Sequence, residues 1–151
     1  MTTSTSSIPS PDQSPGFLLW QTSSLWQRQI KNVLDPHQIT HTQFVLMSLV
    51  LWCKSNGYTP NQRLLCELSM LEKMTVSKAL TGIEALKLIT REQDTSDTRS
   101  NVIALTPEGD TLVRTLVPAL ERIDTDFFAC ASRWEMRDMI RVFREITGND
   151  A

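Results

Sequence analysis

Only five glycines are spread over 151 residues, and none of them builds the glycine-rich loop with which a nucleotide-binding enzyme cradles phosphate. No nucleophile–base signature stands in the chain either, so the residues do not support an enzyme. The three cysteines, Cys53, Cys66 and Cys130, are an odd number without metal-ligand spacing. They suit a reducing cytoplasm, with Cys53 and Cys66 as core residues; Cys130, close to Arg133, is the one with a basic neighbour. Histidine occurs only at 37 and 41. An i,i+4 pair can share a metal, but Pro36 and the following turn separate these two from a common helix face. No metal and no cofactor is expected. Also missing are an apolar run long enough to cross a membrane and the basic start and apolar core of a signal peptide. An excess of one charge is lacking as well. The formal net charge is −2, and from Lys73 to Arg99 five basic residues (Lys73, Lys78, Lys87, Arg91, Arg99) are matched by five acidic ones (Glu72, Glu84, Glu92, Asp94, Asp97). Nucleic-acid binding therefore has to be argued from geometry.

What is present suits one domain with one substantial core: 40% of the residues are hydrophobic, which is ordinary for a globular chain of this length. Met1 to Pro15 is rich in Ser, Thr and Pro, has little to bury, and reads as a disordered tail. From Gly16 to Asp35 the spacing predicts an amphipathic helix with Leu19, Trp26, Ile30, Val33 and Leu34 on one stripe and Leu18 and Leu25 on a second. Thr40 to Gln43 forms a capping box, with Ile39 and Phe44 at staple spacing across it. The helix this starts, about 41–54, is apolar almost all round and should be the central buried element. Ser55-Asn56-Gly57 ends it, with Gly57 suited to a left-handed cap.

The segment Thr59 to Gly109 reads as one device. Thr59, Pro60 and Gln62 give the signals of a helix start, a T-x-x-Q capping box with proline at the first helical position, for a helix to Leu68. A tight connection through Ser69, Met70 and Leu71 leads to a second helix, about 72–87. Its Val76, Ala79, Leu80, Ile83 and Leu86 share one face, and Lys73, Thr75, Ser77, Lys78 and Thr81 lie opposite. Leu88–Gln93 and Asn101–Leu105 read as strands around a polar, turn-rich tip. Thr106 and Pro107 then open a long helix to about Ala131, which Pro118 should kink. A last helix, about 133–146, follows. Helix, turn, helix and hairpin together make a winged helix, and the fold class is mainly α with a small β component (α+β).

T-V-S-K (Thr75–Lys78), D-x-x-D-x-R (Asp94, Asp97, Arg99) and L-T-P-E-G (Leu105–Gly109) stand in register, and by these the chain resembles the MarR family of winged-helix transcriptional regulators. The match needs no gap from Leu88 to Gly109 and extends more weakly over 16–148. Met70 and Lys87 depart from it, standing where the family usually has glycine. Either those turns are shaped differently here or they hold a left-handed non-glycine residue, which costs on the order of 1 kcal/mol. The resemblance implies a single domain over 16–148. Within it, residues 40–106 are the winged helix-turn-helix, and residues 16–35 and 107–148 supply the helices of a homodimer. It implies a cytoplasmic repressor that binds pseudo-palindromic double-stranded DNA and releases it on binding a small aromatic or phenolic effector.

On that reading Thr75, Ser77 and Lys78 reach base edges and phosphates, Lys73 a phosphate, and Thr81 the DNA backbone. Arg99 enters the minor groove with its guanidinium oriented by Asp97, and Arg91 meets a phosphate. Trp20, Trp26 and Trp52 are the candidate effector lining. The alternative is a winged helix used as a protein-interaction module without DNA readout, which predicts a neutral outer helix face and no electropositive wing.

Overall fold

Pro15 is the first residue of the first long helix, because Ser14 stands in extended backbone and its hydroxyl accepts a hydrogen bond from Phe17 N (3.3 Å), and a proline at this position gives up no helical bond. The computed structural model describes Ile8 and residues 10–97 and 99–149. The expected N-terminal tail falls largely outside these residues; its described end holds a 3-10 turn, Pro11–Gln13, and the start of the helix. Helix α1 is Pro15–Leu34. Ile30 and Leu34 are buried, Trp26 and Val33 half-buried, and Leu18, Leu19, Trp20 and Leu25, all N-terminal to them, are exposed. A 3-10 turn, Asp35–His37, follows, and Gln38 takes a left-handed conformation at φ 60°. The chain divides into two units, residues 1–41 and 42–151, and the elements so far belong to the first.

Helix α2 is His41–Ser55, and Phe44, Leu46, Met47, Val50 and Cys53 in it are buried. Burial pushes the Cys53 thiol above its ordinary pKa, so this cysteine is an inert core group. Gly57 closes the helix at φ 76°, and Tyr58 N donates to Cys53 O (2.9 Å).

The start of α3 differs from the sequence expectation. Helix α3 is Gln62–Ser69, and its N-cap is Asn61, whose side-chain oxygen accepts from Leu64 N at 2.8 Å. Thr59 and Pro60 lie outside it, and the backbone at the helix start pairs with the hairpin instead: Pro60 O accepts from Ile103 N (2.9 Å), and Asn61 bridges Val102. The capping signals are present in the residues, but pairing with the hairpin takes the backbone that a longer helix would need.

Helix α4 is Lys73–Ala85, with Glu72 as its N-cap. Met70 and Lys87 sit at φ 59° and 60°, so both turns keep the left-handed shape without glycine. At Lys87 the hydrogen bonding shows what holds it there. Leu88 N donates to Ile83 O (3.0 Å) and Lys87 N to Glu84 O (2.9 Å), which is a Schellman closure. Two satisfied carbonyls and the packing of Leu88 against the core offset a strain of about 1 kcal/mol.

Strands β1 (Ile89–Gln93) and β2 (Asn101–Leu105) pair antiparallel with Ile89 opposite Leu105 and Arg91 opposite Ile103. Alternation places Ile89, Arg91, Ile103 and Leu105 on one face. Ile89 and Ile103 are buried there with Leu46, Met47, Val50, Leu65, Val76, Leu80, Ile83 and Val113, one core shared by helices and hairpin. Helix α5 is Pro107–Phe127, opened by the Thr106 hydroxyl accepting from Gly109 N (3.1 Å), and it runs through Pro118. It stops short of the expected end at Ala131: after Phe127 the bonds Phe128 N to Asp124 O and Ala131 N to Phe128 O form turns, and Ser132 caps the next helix. Helix α6 is Arg133–Thr147, closed by Gly148 at φ 72°, and it has no buried residue.

Candidate nucleic-acid interface

Helices α3 and α4 and the hairpin border a cleft of about 530 Å³, lined by Arg63, Lys73, Arg91 and Arg99 with Gln62, Cys66 and Glu67. Four cations line the cleft with one carboxylate, Glu67, which pairs with Arg63 at 3.3 Å on the open surface; Arg91 and Arg99 have their own carboxylates, Glu84 and Asp97, each at 3.5 Å. Arg63 escapes a count restricted to 73–99; its position one turn before Glu67 and one residue into a helix-turn-helix is the signal that could have found it. Cys66 is half-buried between the core and the cleft wall, so it is only partly the core residue expected.

Lys73 is the first residue of α4, where backbone N–H groups and the helix dipole already favour an anion. Thr75 and Lys78 are exposed, while Ser77 is half-buried. Thr81 is differently placed from the expectation. Its hydroxyl donates to Ser77 O (3.0 Å) and accepts from an Arg91 terminal nitrogen (3.2 Å), so its one proton is committed within the chain. Arg91 departs further. Its register puts it on the core-facing side of β1, where its side chain is only 21% exposed and lies 3.5 Å from Glu84 Oε2. Ion pair and hydrogen bond together make Arg91 a strut from wing to α4 rather than a free cation, and the intervening geometry could not be read from the residue types.

The tip of the hairpin is built by its two aspartates. Asp94 Oδ1 accepts from Ser96 N (2.9 Å) and Ser96 Oγ (2.8 Å), and these bonds, the backbone one first, hold its carboxyl below the usual range. Asp94 N donates to Ser100 O (2.9 Å), closing the loop. Asp97 Oδ1 accepts from Arg99 N (3.0 Å) and lies 3.5 Å from Arg99 Nε, while the Arg99 side chain is 93% exposed. A fully exposed guanidinium tethered at its base is an arm pointed at solvent, and a surface pair of this kind adds little stability.

The tryptophans fall in different surroundings. Trp20 lines a shallow groove with Leu19, Ser24 and Gln27 of α1. Trp26 meets the His41 ring edge-on with centroids 5.1 Å apart, and His41 Nδ1 lies 2.8 Å from Gln27 Oε1. His41 in turn borders a cavity of about 430 Å³ with Arg28, Lys31 and Thr40. Trp52, in the second unit, stacks on Tyr58 with centroids 5.5 Å apart. Among the described residues no group of His, Cys, Asp and Glu is placed to hold a metal ion, and no helix is long and apolar enough to cross a membrane.

A two-helix motif backed by a hairpin, with cations gathered between them, defines a winged helix-turn-helix of the DNA-binding class. Comparison with known proteins narrows the class. Residues 35–122 match the ArnR1-like winged-helix domain. The chain is 35% identical over 130 residues to the HTH-type transcriptional regulator YdcH of Bacillus subtilis, covering 86% of this chain and 88% of that one. In shape it is similar to Bordetella bronchiseptica BpsR, a structure that concerns regulation of DNA binding by 6-hydroxynicotinic acid (TM-score 0.82, 21% identity, 96% and 99% of the two chains). It is also similar to a mutant MarR of Escherichia coli complexed with operator DNA (TM-score 0.76, 14% identity, 87% and 91%). The chain belongs to the MarR family of winged-helix transcriptional regulators. These relatives are regulators and not enzymes.

Proposed function

We propose that the protein is a homodimeric, ligand-responsive repressor that works in the cytoplasm and reads a pseudo-palindromic operator with α4 in the major groove and Arg99 in the minor groove. The observation that carries this reading is the basic cleft between α3, the start of α4 and the wing, in a chain whose net charge is −2. A protein-interaction module has no need to line one cleft with its cations in this way. Lys73 and Arg63 contact phosphate, Thr75, Ser77 and Lys78 meet base edges or phosphates, and Asp97 orients Arg99. Arg91 and Thr81 hold the wing and α4 in one relative position. The dimer is supported by apolar side chains left uncovered on α1 and on α6, which a second copy would bury. The domain plan follows: residues 40–106 bind DNA, and 16–35 and 107–148 hold the dimer.

The effector in this reading is a small aromatic or phenolic molecule, as 6-hydroxynicotinic acid is for BpsR. The Trp20 groove and the cavity at His41 are of ligand size, and Arg28 in the latter has no ion-pair partner among the described residues. Lys73→Ala and Ser77→Ala, titrated on selected and on random duplexes over a salt series, test the division of labour. Lys73→Ala should weaken both duplexes alike and flatten the salt slope by about one unit per subunit. Ser77→Ala should cost roughly 1–3 kcal/mol at particular base pairs and little on random DNA. Uniform losses in both variants, or none in either, would remove α4 from the major groove.

A further inference from the structure

Met74 is the second residue of α4, and 78% of its surface is open to solvent. Lys78 and Thr81 follow it at four and seven residues, positions that lie one above another on a helix, and both are exposed. The buried Val76, Ala79, Leu80 and Ile83 occupy the opposite side. Met74 therefore heads the outermost line of α4, at the end where Lys73 borders the basic cleft. A single exposed methionine on a protein surface is ordinary. This one is the only large apolar side chain exposed on the helix that the regulator presents to DNA.

We propose that Met74 is a specificity-determining residue that reads the 5-methyl group of thymine. The assignment rests on α4 entering the major groove, as argued above. In that groove the edges of adenine, guanine and cytosine offer hydrogen-bond donors and acceptors, and thymine alone adds a methyl group. Thr75, Ser77 and Lys78 answer the polar edges, and none of them ends in a large apolar group. Methionine does, and it is unbranched and polarizable, so it can reach a methyl over a range of approach angles. It also reaches further than its neighbours. Thr75 and Ser77 are short, and Ser77 is already half-buried. Contact with the thymine methyl removes both from water, and the stabilisation expected for one buried methyl corresponds to about a three- to fivefold change in affinity.

The test uses an operator selected by the wild-type protein from a random duplex pool, then resynthesised with one dT at a time replaced by deoxyuridine, which lacks only the methyl. In each half-site one replacement should weaken the wild-type protein about three- to fivefold. Met74→Ala should bind the unmodified operator more weakly by a similar factor, be indifferent to that same replacement, and unfold at an unchanged temperature. Met74→Leu should recover part of the discrimination. If every deoxyuridine replacement acts equally on wild type and Met74→Ala, Met74 does not read thymine while the regulator reading stands. If the wild-type protein selects no sequence at all, both readings fall together.

Discussion

Gly109→Ala should destabilise the fold by about 2 kcal/mol or more, although alanine is the better helix former by about 1 kcal/mol. The sign is decided by what the added methyl would meet. A Cβ at Gly109 would overlap the carbonyl oxygen of Leu88 and lie 3.0 Å from its carbonyl carbon and 3.3 Å from its Cα, all backbone atoms that no rotamer change can move. The same few residues hold the C-terminus of α4 to the N-terminus of α5. Thr106 N donates to Leu88 O (3.0 Å), and the Thr106 hydroxyl donates to Lys87 O (2.7 Å) while accepting from Gly109 N. Pushing α5 away from Leu88 therefore strains the Schellman closure of α4, the helix proposed to meet DNA. Thermal unfolding followed by circular dichroism should show the midpoint lowered by roughly 4–8 °C, with operator affinity reduced as well. A midpoint within about 2 °C of wild type would mean that the approach of α5 to Leu88 is looser than described.

The second large effect is expected at α6. On the proposed homodimer, replacing Phe143 and Ile146 together with aspartate should leave the winged helix folded and separate the two subunits. Neither residue belongs to the core: they are 46% and 76% exposed, as Trp134 (66%) and Ile140 (50%) are on the same helix. With Val142 these make five large apolar side chains exposed on a helix that has no buried residue, a face that a second surface would cover. Two charges placed there would have to be desolvated without partners, which is far more costly than the contacts they replace. Once separated, each subunit holds one half-site alone, so affinity for the full operator should fall by at least about 100-fold, the usual gain from linking two sites. Sedimentation velocity and operator titration read the two effects separately. A variant that sediments as the wild-type dimer, or binds the operator as tightly, would place the subunit contact elsewhere.

Much of this architecture is legible in the residues, and the exceptions have physical causes. The buried stripe Val76, Ala79, Leu80 and Ile83 and the hairpin boundaries at 101–105 follow from periodicity, because a single core has to be covered from known faces. Thr59 and Pro60 mislead because local capping chemistry competes with a long-range backbone bond to Ile103 that no local pattern announces. Arg91 misleads for a related reason. Residue type marks it as a phosphate contact, but strand register puts it beside Glu84 and Thr81, and register is a property of the pair of strands. Met70 and Lys87 show that a glycine-free left-handed turn can be read as a departure, yet only its hydrogen bonds reveal that the strain is carried. Met74 is hidden by its chemistry, since an apolar residue in a helix is first assigned to the core.

The proposal that the basic cleft faces DNA is tested most directly by the salt dependence of wild-type binding to a random duplex. Arg63, Lys73 and Arg99 of the cleft, together with Lys78 of α4, would in two subunits neutralise about eight phosphates at most, and each releases close to one counterion. A plot of log K against log salt concentration should be linear with a slope of about −5 or steeper, and a selected operator should bind more tightly than random DNA at every salt concentration. A slope shallower than about −2, with no preference for any selected duplex, would contradict DNA reading and leave the winged helix as a surface for binding protein.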